Sequence, residues 1–182
     1  MLEILDIWNE NGKPTGQSAD KAVLHQKGLF HPTVHIWFYT PTPNILLQKR
    51  AANKQTFPNL WDVSVAGHVL SGESPIQAAI RECKEETGFE LKAQNLFFFG
   101  KNHKQKVHAS DFIDHEYQHL FIANCNLEVS EFQIQVEELS EVKWISFQEL
   151  NQAWSEKDQN FVPRNHLYSE LLEKNLKSRL QS

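Results

Sequence analysis

Two cysteines, Cys83 and Cys125, are too few for a disulfide framework, so a reduced, cytoplasmic chain is expected. No apolar run reaches the length of a membrane span. The first ten residues lack a basic stretch followed by an apolar core, so no signal peptide is expected. Runs of Lys or Arg are missing too. With 18 basic residues against 23 acidic ones the net charge is −5. That balance argues against general nucleic-acid binding and against docking on an anionic membrane. Glycine and proline, seven of each, are too scarce for a collagen-like or low-complexity chain. What remains is a globular composition, 40% hydrophobic over 182 residues, the size of one domain with a sizeable core.

The pattern along the chain alternates strands with helices. Ile4, Ile7 and Trp8 followed by Asn11-Gly12 predict a hairpin over about 1–20. Residues 34–39 predict a buried strand, 40–44 a proline-rich turn and 45–48 the returning strand. Residues 61–65 alternate like a short strand that ends at Ala66-Gly67. Ser74 as N-cap, Pro75 in the first turn and Gly88 as stop bound a helix. Ile76, Ala79, Ile80, Cys83 and Thr87 give it one apolar or small face. Strands are expected at 91–99, 117–125 and 142–145, with a helix from Ser146 and a last one over 166–180. The stretch 101–114, with His103, Lys104, Lys106 and His108, is expected to be a long polar loop. The expected fold is an α/β sandwich, one domain over 1–182 with its core at about 31–155.

The segment 67–89, GHVLSGESPIQAAIRECKEETGF, carries the chemistry. Glu82, Glu85 and Glu86 stand at i, i+3 and i+4, so three carboxylates share one helix face and repel one another. Such a face is either simply solvated or a cradle for a divalent cation that prefers oxygen ligands, Mg²⁺ or Mn²⁺. Arg81 and Glu73 are placed to pair and tie the preceding loop to the helix. Gly67, Glu73, Arg81, Glu82, Glu85, Glu86 and Gly88 together fill every fixed position of the Nudix box, a chance match of roughly one in a million.

The chain therefore resembles the Nudix hydrolases. The resemblance implies an α/β/α sandwich with a mixed sheet. It implies a diphosphohydrolase that uses Mg²⁺, or Mn²⁺, to cleave a small-molecule diphosphate with an activated water. It makes Glu82, Glu85, Glu86 and the Gly67 carbonyl metal ligands, Arg81 and Glu73 a salt bridge, and Glu85 or Glu86 the general base. The flanking segments are similar to the type I isopentenyl-diphosphate isomerases: residues 31–50, Lys54, Pro58 and WDVSVAGHV. That branch implies a metal site of His25, His31 and His68 with Asp114 and Glu116. Chance proximity among nine histidines is the alternative. The isomerases place an essential cysteine where this chain has Ala66, so the hydrolase side of the branch is expected. Arg50 and Lys54 are candidate phosphate grips, since a guanidinium binds phosphate bidentately, or else ordinary strand-end cations. His31 and His68 are candidate substrate contacts. Glu137 and Glu138 occupy a second loop from which some Nudix proteins complete the metal site. A non-catalytic metabolite sensor and a homodimer stay open.

Overall fold

The computed structural model describes residues 2–181. The elements are β1 (Ile4–Trp8), β2 (Pro14–Asp20), α1 (Lys21–Lys27), β3 (His31–Tyr39), β4 (Asn44–Arg50), β5 (Trp61–Asp62) and β6 (Val65–His68). They continue with α2 (Pro75–Thr87), β7 (Phe97–Ala109), β8 (Phe112–Asn124), β9 (Leu139–Ser146), α3 (Phe147–Ser155) and α4 (His166–Leu180). β1 and β2 form a separate antiparallel hairpin, as the Asn11-Gly12 turn predicts. The other strands form one mixed sheet, with β5, β4, β3, β8 and β7 side by side, β6 added to β3 and β9 added to β4. β3 and β8 run parallel in unbroken register from His31↔Glu116 to Tyr39↔Asn124.

β3 is buried along its whole length, and alternate residues feed two cores. Val34, Ile36 and Phe38 pack with Ala78, Ala79 and Cys83 of α2. Trp37 and Tyr39 pack with Leu150 of α3 and with Tyr168, Leu172 and Leu176 of α4. Helices thus cover both faces of a mixed sheet, the α/β/α sandwich expected.

α2 has a full capping box. Ser74 Oγ accepts from the Gln77 amide, and the Gln77 side chain accepts from the Ser74 amide. Gly88 closes the helix at φ 70°, a left-handed position that suits glycine.

Three local expectations are corrected. Residues 101–114 are not a loop. They are the arms and tip of the β7–β8 hairpin, whose side chains at that end are largely exposed and so lack an apolar alternation. The stretch 91–99 opens with a 3₁₀ turn at Ala93–Asn95, and the strand begins only at Phe97. The single strand expected at 61–65 is two short ones, β5 and β6, interrupted at 63–64. α1 has no counterpart among the expected elements. Asp20 caps it by accepting from the Ala22 amide, and it buries Leu24 and His25.

Candidate active site

α2 presents its carboxylates to the strand β6. Gly67 pairs with Val34, so its missing side chain faces α2. A Cβ there would stand 2.0 Å from Glu82 Cδ, so no residue but glycine lets Glu82 lie against the backbone. Glu86 is 3% exposed and accepts from the Ala66 amide at 3.3 Å. Burial pushes the Glu82 carboxyl up. Burial, then the charges of Glu82 and Glu138, push Glu86 well above the usual carboxylate range. Arg81 is placed among them. Its Nε and Nη2 grip Glu73 at 2.8 and 2.9 Å, and Nη2 also donates to the His68 carbonyl at 2.9 Å. Its Nη1 reaches Glu82 at 2.8 Å and Glu85 at 3.0 Å.

The next residue along β6 turns the other way. His68 pairs with Thr33 and faces the α4 side, where His31 also lies. Together with His25 from α1, their ligand atoms come within 4.8 Å of one another. His31 Nδ1 bonds the Leu29 carbonyl at 2.9 Å, while its Nε2 and that of His68 are buried with no partner. Burial lowers the pKa of both rings, so both stay neutral with a lone pair available. Asp114 sits 3.3 Å from His25 Nδ1, with Lys104 at 2.6 Å and His108 at 2.8 Å. Burial alone would raise the Asp114 carboxyl, but those three donors hold it far below its usual value. Glu116 is level with His31 across the β3–β8 pair and takes Lys104 at 3.5 Å. The structure thus brings Glu116 to the histidines, on the sheet face opposite the helix glutamates.

The expected phosphate grips are already engaged. Arg50 donates to the Thr56 carbonyl at 3.0 Å and lies 3.4 Å from Asp62. Lys54 contacts Glu138, the loop residue whose charge acts on Glu86. A cavity of about 760 Å³ opens at His25, and Glu3, Lys21, Gln55, His108 and Phe112 also contribute to its wall. That volume accommodates a nucleotide-sized molecule.

Comparison with known proteins identifies the family. The model of the NUDIX domain matches residues 29–164. The chain belongs to the Nudix hydrolase family. It is 36% identical to an uncharacterised Nudix hydrolase of Clostridium acetobutylicum over 81% of this chain and 72% of that one. It is also 36% identical to isopentenyl-diphosphate Delta-isomerase 2 of Photorhabdus laumondii, over 82% and 81%. Nudix hydrolase 3 of Arabidopsis thaliana is 31% identical over 88% of this chain, which spans only 21% of that protein. In fold it is similar to DR0079 of Deinococcus radiodurans, with a TM-score of 0.70 at 20% identity over 94% of this chain and 98% of that one.

Nudix hydrolases use divalent metals such as Mg²⁺ or Mn²⁺, and the Nudix box here fits one. Glu82 and Glu86 are crowded, desolvated and raised in pKa, a repulsion that a divalent cation relieves. The buried, unpartnered Nε2 atoms of His31 and His68 fit an imidazole-binding cation equally well. Among the described residues, no helix is long and apolar enough to cross a membrane. Reading the sequence missed Lys104 and His108 as partners of Asp114, because the exposed arm of β7 has the polar pattern of a loop. It also missed Asp62, on which Arg50 and Arg164 converge; one acidic residue in a short strand carries no signal.

Proposed function

We propose that this Nudix hydrolase cleaves the diphosphate bond of a small organic diphosphate, a nucleoside derivative among the candidates, in a Mg²⁺-dependent reaction. The observation that carries the proposal is the approach of Glu82 to Gly67, with Glu86 buried beside it. Glu82, Glu85, Glu86 and the Gly67 carbonyl would hold the metal. Mg²⁺ bound there supplies charge neutralisation at the diphosphate oxygens and an oriented water. Glu85 or Glu86 would accept the proton of the attacking water as a P–O bond to that water forms and the bridging P–O bond breaks. Arg81 ties the end of β6, through the His68 carbonyl, and the loop after it, through Glu73, to the helix. His25, His31, His68 and Glu116 would hold a second cation beside the cavity, where Lys21 supplies a positive charge to an anionic substrate.

The histidine cluster and the isomerase-named relative favour isopentenyl-diphosphate isomerisation as a second reading. Ala66 weighs against it, because an alanine offers no group to donate or accept a proton. The test is product release from nucleoside diphosphates and triphosphates, nucleotide sugars, dinucleotides and isopentenyl diphosphate, with Mg²⁺ and with chelator. Metal-dependent cleavage of one of them, lost in Glu86→Gln, is expected. Recovery of isomerised isopentenyl diphosphate without cleavage would overturn the hydrolase reading.

A further inference from the structure

On the α4 side of the sheet a line of amides runs from the exposed Asn165 at the start of α4, through the buried Asn102 and Gln118, to Glu116. The Tyr168 amide donates to Asn165 Oδ1 at 2.8 Å, capping the helix. Asn165 Nδ2 donates to Asn102 Oδ1 at 3.1 Å. Asn102 Nδ2 donates to Gln118 Oε1 at 2.7 Å, and Gln118 Nε2 donates to Glu116 Oε2 at 2.7 Å. Asn102, Gln118 and Glu116 are each less than 9% exposed, so water does not compete freely for the two bonds that join them.

The polarity of the line is set from both ends. A backbone N–H can only donate, so Asn165 must present its oxygen to Tyr168 and its nitrogen to Asn102. The same requirement then passes through Asn102 and Gln118. At the far end a carboxylate can only accept, which is what Gln118 requires of Glu116. One oxygen of Glu116 is thereby committed, and Oε1 faces Lys104 at 3.5 Å.

We propose that Asn165, Asn102 and Gln118 are positioning residues that fix the plane of the Glu116 carboxylate for the cation held by the histidines. This rests on the histidine-site reading given above. The hydrogen-bonded partners of a metal-binding carboxylate set its orientation, and their loss weakens metal binding about 10- to 100-fold.

Asn165→Asp separates the two roles of Asn165. Aspartate caps a helix as well as asparagine does, so α4 keeps its N-cap. It has no donor for Asn102, however. Asn102 must then turn to donate to the new carboxylate, Gln118 must turn after it, and Glu116 meets an amide oxygen in place of an N–H. Zn²⁺, which prefers imidazole over an all-carboxylate site, is the probe. It is titrated into the full-length protein against a competing chromophoric chelator, with His31→Ala as control. The side-chain NH₂ resonances of Asn102 and Gln118 are recorded by NMR in the same proteins.

Expected in Asn165→Asp are an unchanged Tm, shifted NH₂ resonances at Gln118 and zinc affinity reduced about tenfold. Unshifted Gln118 resonances, or zinc binding equal to wild type while His31→Ala loses it, would overturn the relay and leave the histidine site standing. Zinc binding absent from wild type and His31→Ala alike would overturn the histidine site and, with it, the relay's service to a cation.

Discussion

The two faces of β6 hold two clusters of ligand-type side chains built on different principles. On the α2 face, three glutamates come from one helix turn, and the strand contributes only a bare backbone at Gly67. On the α4 face, His25, His31, His68 and Glu116 come from four separate elements. The first cluster is acidic and crowded, and burial with neighbouring carboxylates pushes Glu82 and Glu86 up. In the second, burial lowers the pKa of the His31 and His68 rings, and their Nε2 atoms are buried with no partner. The contrast teaches that the pleat of one strand can serve two different sets of ligand-type side chains, since Gly67 and His68 are consecutive yet face opposite sides.

That separation can be broken most forcefully at the glutamates. Glu82→Gln and Glu86→Gln should each lower kcat on the order of 10²- to 10⁴-fold, read in the Mg²⁺-dependent cleavage assay. Their Tm should hold or rise. A buried carboxyl whose folded pKa lies above its unfolded value costs stability once the pH exceeds the unfolded value, and glutamine removes that cost. Zinc uptake on the other face should be untouched.

Gly67→Ala asks how closely the first face depends on a bare backbone. The atoms nearest the new Cβ belong to the flexible Glu82 side chain, which can swing aside, so the protein should fold. A carboxylate moved by an ångström should still cost ~10²-fold in rate. Turnover equal to wild type would remove Glu82 from the site.

His31→Ala and His68→Ala sharpen the comparison from the opposite side. Each should reduce zinc affinity by about 10- to 100-fold in a chelator competition, while Mg²⁺ binding at α2 persists. Loss of both together would mean that the two faces hold one shared site.

The smallest effect is expected from acid. Burial would raise Asp62, but Arg164 and Arg50 hold it down at about 2. Its stabilisation is therefore complete above the unfolded value near 3.8 and is lost as the pH falls towards 2. Denaturant unfolding should show on the order of 2 kcal/mol disappearing across that window. Asp62→Asn should flatten the slope there and start from a lower plateau, because it leaves two guanidiniums without their carboxylate.

What could be read from the sequence follows the same division. The α2 site is local. Ser74, Pro75 and Gly88 mark the helix ends, and the glutamate spacing fixes their shared face, so both element and chemistry are visible in one short segment. The Glu73–Arg81 pair is legible for the same reason. The histidines carry no such spacing, and only resemblance to a family points to them. The relay of Asn102, Gln118 and Asn165 is invisible, since single amides in polar stretches look like any solvated residue. Arg50 and Lys54 look like free cations because their acidic partners, Asp62 and Glu138, are distant in the chain or in an unremarkable strand.

The parallel pairing of β3 with β8 has a consequence for the order of assembly. As the chain leaves the ribosome, Gly67 and the glutamates of α2 emerge close together, and their cluster needs only nearby contacts. His31 must wait until Glu116 has been synthesised, and the amide line must wait for Asn165 as well. Local contacts form early and distant ones late. A nascent chain stalled after α2 would carry the carboxylate cradle with half of the sheet beneath it still to come, and the histidine site would be among the last features the newborn protein acquires.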